Sequence, residues 1–253
     1  EKAIEEVESR GQSSASWRPF QLAFIIKQIP TIVEPWSDLR SSNIAAAELL
    51  FFPTGGGKTE AYLGLAAFVF AIRRLQGVVE SSEGLLDGTA GVAVLMRYTL
   101  RLLTSQQFVR ATTLMCAAEM IRKSDEKTWG IEPFRIGLWV GTSVSPKSYE
   151  EAKTQIVDAR ADGGSSHGLT VLQVKRCPWC GSSINPRTDL FAKDELRRVF
   201  VFCGDQLGKC EFSRAKSSEG LPLLTVDEEI YRFPPSFLLA TVDKLARLSR
   251  QGE

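Results

Sequence analysis

Phe52-Pro53-Thr54-Gly55-Gly56-Gly57-Lys58-Thr59 is the stretch whose residue types and spacing best suit chemistry on a polyphosphate. Successive glycines let backbone N–H groups turn inward around an anion, and a helix starting behind them adds partial positive charge. In such a loop Thr54, Gly55, Gly56 and Gly57 lie along the phosphates. Lys58 reaches the β- and γ-phosphates, and the Thr59 hydroxyl ligates Mg²⁺. Lys58 and Thr59 are therefore the candidate catalytic residues, with a nucleoside triphosphate and Mg²⁺ as the implied cofactors. Phe52 stands where the strict pattern has Gly or Ala, at a position that mainly shapes the turn.

The second chemical constellation is made of cysteines. Cys177-Pro178-Trp179-Cys180-Gly181 has the spacing of a zinc knuckle, in which both thiolates face one ion and backbone N–H groups point at the sulfurs. Cys203 and Cys210 supply a second pair, more widely spaced, with Gly204 and Gly208 making the intervening loop able to close. Four thiolates around Zn²⁺ form a closed tetrahedral site, which is structural and leaves no position open for catalysis. Such a site contributes on the order of 10 kcal/mol to folding a small module. Cys116 falls on the apolar face of a helix and reads as packing, while His167 lies in a Gly-Ser stretch and reads as solvated. With that single histidine so placed, a Ser–His or Cys–His nucleophile is ruled out.

The elements that must hold these residues follow from patterning. The apolar run Ala45 to Phe52 reads as a buried strand ahead of the glycines, and Ala61 to Ile72 as a buried helix behind them. Upstream, residues 1–10 read as a short helix and Leu22 to Ile29 as another, ended by Pro30 and Pro35. Gly77 to Gly88 reads as a polar loop. Strands are expected at Gly91 to Met96 and Arg135 to Val140, with helices at Thr99 to Arg122 and Tyr149 to Ala161. Strand and helix in alternation predict an α/β fold with a parallel sheet covered on both faces.

The alternation breaks at Asp162-Gly163-Gly164-Ser165-Ser166. Residues 163–219 read as a zinc-ribbon-like insertion with strand-like runs at Thr170 to Val174 and Arg198 to Phe202. The sheet, with its own core, is expected to survive loss of that insertion. Residues 1–162 form the core ahead of it, and residues 220–253 return to the core through a strand at Phe237 to Ala240 and a helix at Val242 to Arg250. A net charge of +1 gives no global positive field, so any nucleic acid must be held by a local patch. No apolar run reaches membrane-spanning length, no leader is evident, and clustered cysteines suit a reducing compartment, which together predict a cytoplasmic protein away from membranes.

The order of the remaining segments resembles superfamily 2 helicases and translocases, whose motor is a pair of RecA-like P-loop domains. By that resemblance Arg18-Pro19-Phe20-Gln21 is an adenine-recognition element, with Gln21 on the adenine edge and Arg18 and an aromatic neighbour supporting the ring, which makes ATP the nucleotide. Arg97-Tyr98-Thr99-Leu100-Arg101, continuing to Gln106, resembles the motif that holds nucleic-acid phosphates, a role that a strand end, hydroxyls and two arginines suit. Val140-Gly141-Thr142-Ser143 is placed like a second backbone-contacting loop. Thr241 and Lys244, in Phe237 to Leu245, resemble a further strand-contacting segment, with Val242 where the family has Pro. The runs at Trp17 to Ile25, Phe52 to Leu65, Val94 to Gln107 and Pro133 to Gly141 resemble the large helicase family that includes the helicase of the DISARM anti-phage system.

The resemblance implies an ATP-dependent helicase or translocase acting on nucleic acid, DNA in preference to RNA, with partner proteins of a defence complex. It also leaves the Mg²⁺-binding acidic motif in two candidate places, Asp227-Glu228 or beyond residue 253. In the family the segment matched by Phe237 to Leu245 precedes that motif, which favours the second and predicts an incomplete, inactive motor lobe in this chain. Two other classes remain open at this stage. One is a P-loop small-molecule phosphotransferase with a structural zinc module, and the other a non-catalytic zinc-ribbon module that binds nucleic acid.

Overall fold

The computed structural model describes residues 16–34, 36–37, 47–51, 53, 56–81, 84–99, 105–141, 143–161 and 169–246. Helix α1 (Pro19–Val33) opens the described chain. Pro19 suits its first turn, where the missing N–H costs nothing. The helix runs through Pro30 rather than ending there. Pro30 sits in the last turn, and its carbonyl still closes the helix by accepting from Glu34 N at 3.1 Å. Helix α2 (Lys58–Gln76) begins directly behind Gly57 and is tied to α1 by Gln76 Nε2 donating to Val33 O at 2.7 Å.

A hairpin, β1 (Val78–Ser81) with β2 (Gly84–Asp87), occupies the stretch expected to be a loop. Val78, Val79, Leu85 and Leu86 have the composition of strands, and their polar flanks disguised it. Then come β3 (Val94–Tyr98), α3 (Ser105–Ser124), the short α4 (Glu126–Trp129), β4 (Ile136–Trp139) and α5 (Tyr149–Ala161). After residues 162–168, where His167 falls outside the described residues, follow β5 (Leu190–Lys193), β6 (Arg198–Val201), β7 (Leu223–Leu224), α6 (Asp227–Arg232), β8 (Phe237–Thr241) and α7 (Val242–Leu245). The run Thr170 to Val174 forms turns and coil instead of a strand.

Four strands make one sheet in the order β3-β8-β4-β7, every neighbour parallel. This mixed α/β arrangement is consistent with a RecA-like fold. β4 and β8 are buried along their whole length, as strands covered on both faces must be. Gly137 in β4 allows Pro235 to pack close, since a Cβ there would lie 2.7 Å from Pro235 Cγ. The chain leaves the sheet after β4, makes α5 and the cysteine-bearing segment, and returns as β7 and β8. One contiguous buried cluster joins Phe70, Met115, Ile136 and Phe237 to Val174, Leu190, Cys203 and Phe212 of the cysteine segment. The sheet core and the cysteine segment are thus packed together, contrary to the expectation of separate cores.

The run Ala45 to Phe52 does not form the expected strand where it is described. Residues 47–51 carry no strand, and Leu49 and Phe51 are 85% and 87% exposed. A buried strand needs a neighbouring edge, and among the described residues nothing pairs with the side of β3 that faces away from β8.

Candidate nucleotide and metal sites

The glycine loop is held from outside by α1. Arg18 Nη1 donates to Gly56 O at 3.0 Å, and Gln21 Nε2 donates to Gly57 O at 2.8 Å. Gln21 Oε1 in turn accepts from Arg18 N at 2.7 Å, so the side chain that is only 4% exposed is fixed at both ends. Gly57 adopts φ +90°, and a Cβ at that position would meet Gln21 Nε2 at 2.7 Å. Glycine is required there both for the backbone and for the close approach. Trp17 packs against Gly64 of α2, where an added Cβ would lie 2.4 Å from the indole.

Lys58 occupies the first position of α2 and its Nζ donates to Pro53 O at 3.1 Å. Thr59 follows on the same first turn. The Lys58 ammonium thus turns back toward Pro53 at the N-terminus of α2. Thr54 and Gly55 lie outside the described residues. Glu60, next along, pairs with Arg110 of α3. Burial works against the Glu60 carboxylate, but the Arg110 guanidinium, a backbone bond and Arg18 outweigh it and hold its carboxyl below the ordinary value. Nothing in the sequence pattern singled out Glu60 or Arg110, because their pairing joins two helices far apart in the chain.

The parallel register places Arg97 opposite Ala240 and Tyr98 opposite Thr241, so the carboxyl ends of β3 and β8 meet. Ligands in open α/β sheets bind outside such strand ends. Arg97 is exposed there, and Gln106 is exposed at the start of α3. Arg101 is outside the described residues. Thr241 is buried, and the Lys244 ammonium is bonded to the Asp227 carboxylate and lies 5.8 Å from the Trp139 ring. Contact of Lys244 with a nucleic-acid strand would require that pair to open.

Asp227 and Glu228 sit at the start of α6, beside the far edge of the sheet from β3. Asp227 is held by Lys244, and burial still pushes its carboxyl up from the ordinary value. Glu228 accepts from Arg197 Nε and Tyr149 N, both at 2.9 Å. Glu229 is buried, accepts from Val199 N at 2.5 Å, and burial raises its carboxyl to about 7.

The cysteines converge. The Sγ atoms of Cys177, Cys180, Cys203 and Cys210 all lie within 4.8 Å of one another. The first pair sits on a tight turn in which Gly181 N donates to Cys177 O at 2.9 Å and Cys177 N to Ser182 O at 2.8 Å. The N–H groups of Trp179 and Cys180 point at the Cys177 sulfur, as that of Asp205 does at Cys203 and that of Phe212 at Cys210. The wide second gap is closed by Asp205, whose carboxylate accepts from Leu207 N at 3.0 Å, Lys209 N at 2.6 Å and Cys210 N at 2.8 Å. Gly204 allows the loop to press on the knuckle, since a Cβ there would lie 2.0 Å from Ser183 O.

Burial pushes the Cys177, Cys203 and Cys210 thiols up from their ordinary value. Burial acts the same way on Cys180, but hydrogen bonds at Ser182 and Cys203 outweigh it and its thiol lies below the ordinary value. A soft divalent cation at the centre would favour the thiolates outright, so four clustered sulfurs with N–H donors fit zinc. Cys116 is fully buried in α3, and burial raises its thiol strongly.

Among the described residues no helix is long and apolar enough to cross a membrane. No family model matches the chain. It is similar to the "DISARM protein DrmA" of Bacillus paralicheniformis, with 37% identity over 241 residues that cover 94% of the chain and 20% of the relative. The chain thus spans about a fifth of the length of that curated relative, and the similarity supports kinship with a DISARM-related family.

Proposed function

We propose that this segment is the ATP-binding lobe of an ATP-dependent nucleic-acid helicase or translocase that serves anti-phage defence. The observation that carries the reading is the docking of Arg18 and Gln21 onto the carbonyls of Gly56 and Gly57, directly ahead of Lys58 and Thr59. Side chains at the start of an upstream helix that hold the glycine carbonyls favour a nucleotide site over a solvated glycine turn. Thr54 to Gly57 would wrap the phosphates, Lys58 would offset their charge, and Thr59 would hold Mg²⁺. The nucleic-acid backbone would run past Arg97 and Arg101, with Gln106 beside them and Thr241 and Lys244 joining once the Asp227 pair opens.

The carboxylates at Asp227 and Glu228 are engaged by Lys244 and Arg197, which favours an acidic Mg²⁺ motif elsewhere in a longer protein. The name of the relative, DISARM protein DrmA, supports the defence role. A cytoplasmic location, zinc on the four cysteines and partner proteins of a defence complex belong to the same proposal. Hydrolysis measured on the full-length protein, with and without single-stranded DNA, tests it. Turnover stimulated by the strand supports the motor, and turnover indifferent to it points to a small-molecule phosphotransferase.

A further inference from the structure

On the β5–β6 hairpin, Phe191 stands directly opposite Phe200. The Arg214 guanidinium lies over the Phe191 ring at 4.0 Å and that of Arg160 at 5.2 Å, while Lys193 Nζ lies over Phe200 at 4.8 Å. Arg160, Lys193 and Arg214 are exposed, and Phe191 is half-buried. Neighbouring cations are treated differently. Arg197 is paired with Glu150 and Glu228, Arg198 with Glu219, and Lys216 with Glu211. Among the described residues, Arg160, Lys193 and Arg214 have no carboxylate partner.

These cations are also pre-positioned. Arg160 Nε donates to Arg187 O at 3.2 Å and Nη2 to Leu190 O at 2.8 Å, which fixes its plane above the hairpin. Arg214 follows Ser213, which bridges Cys203 of the cysteine cluster. Arg187, beside them in the chain fold, has buried Nε and Nη2 atoms without a hydrogen-bond partner. The surface therefore combines aromatic rings, stacked guanidiniums and unneutralised positive charge.

We propose that this hairpin face is a contact for single-stranded nucleic acid, separate from the Lys58 loop and from Arg97. Phosphates would neutralise Arg160, Lys193 and Arg214, and an unpaired base would stack on the guanidinium that already covers Phe191. A duplex hides its base faces, and an acidic peptide carries charge without the stacking plane, so a single strand matches both halves of the surface.

The test is fluorescence anisotropy of the full-length protein with a labelled mixed-sequence single-stranded DNA, without nucleotide, across a salt series. Lys193→Glu combined with Arg214→Glu should weaken binding at least tenfold at low salt. The salt slope should fall by about 1.4, at about 0.7 for each lost phosphate contact. Arg214→Gln, which is gentler on the fold, should weaken binding about threefold, and its effect should add to that of Arg97→Ala. Unchanged affinity and slope in both variants, with zinc content and circular dichroism intact, overturns the proposal. So does competition by polyglutamate as effective as that by the oligonucleotide at equal charge, which would make the face a protein-docking surface. Binding is read without nucleotide, so loss of the ATP-driven reading leaves this result standing.

Discussion

Lys244 is bonded to Asp227 across the carboxyl end of the sheet, joining the segment after β8 to the first turn of α6. Both side chains are largely buried, at 13% and 6% exposure, so removing one charge strands the other in a poor solvent. Asp227→Asn should cost roughly 3 kcal/mol of stability, the scale for breaking a buried pair. Hydrolysis per folded full-length molecule should be retained, and the freed Lys244 should tighten single-strand binding. Chemical denaturation, ATPase and anisotropy on the one variant read all three. Hydrolysis lost with the fold intact would make Asp227 the Mg²⁺-binding acid instead.

Gln21 is expected by family resemblance to read adenine, whereas its amide here bridges Arg18 N and Gly57 O. If its main task is to hold the loop, Gln21→Ala should weaken Mg²⁺-ATP and Mg²⁺-GTP binding alike, by up to about tenfold, the scale of a lost hydrogen bond between neutral groups. Calorimetric titration with both nucleotides checks this. A loss confined to ATP would return Gln21 to the adenine edge.

The convergence of the four cysteines was legible in their spacing, because the chemistry of a metal knuckle is local. Helix α5 was read with its bounds, since Tyr149, Ala152, Ile156 and Ala159 repeat at helical spacing and are all buried. What the sequence concealed is long-range. Glu60 with Arg110 and Lys244 with Asp227 depend on which surfaces the fold brings together. The strand expected at Ala45 to Phe52 is absent over the described residues 47–51 for a related reason, because apolar composition marks a segment that can be buried without naming the edge that receives it.

Removing the metal should unfold more than residues 163–219. Cys203 and Phe212 belong to the same buried cluster as Phe237 and Ile136, so the sheet loses packing when the cysteine site opens. Cys177→Ser or Cys210→Ser should abolish one bound zinc and lower the whole thermal transition. Gly204→Ala, which drives a Cβ against Ser183 O, should destabilise by about 1–3 kcal/mol through overpacking. Elemental analysis and calorimetry distinguish this from local melting, which would leave the sheet's transition unmoved.

Glu229 gives the fold a defined pH response. Its carboxyl is raised from 4.5 to about 7 by burial, so the folded state binds the proton more tightly than the unfolded state. Stability contributed by the protonated form is present below pH 4.5, falls as pH rises, and is lost by pH 7 and above. Glu229→Gln retains an acceptor for Val199 N and should raise the melting temperature at pH 8 while changing little at pH 4.5. Equal shifts at both pH values would show that the carboxyl does not titrate in this window.

The most direct test of the central claim is Mg²⁺-ATP hydrolysis by the full-length protein, titrated with single-stranded DNA, in wild type and Lys58→Ala. Lys58 starts α2, donates from Nζ to Pro53 O, and is not a member of the buried apolar cluster that holds the domain, so its removal should leave the fold intact. The account predicts strand-stimulated turnover in the wild type, and neither turnover nor tight ATP binding in Lys58→Ala. Equal turnover in the two proteins would contradict it.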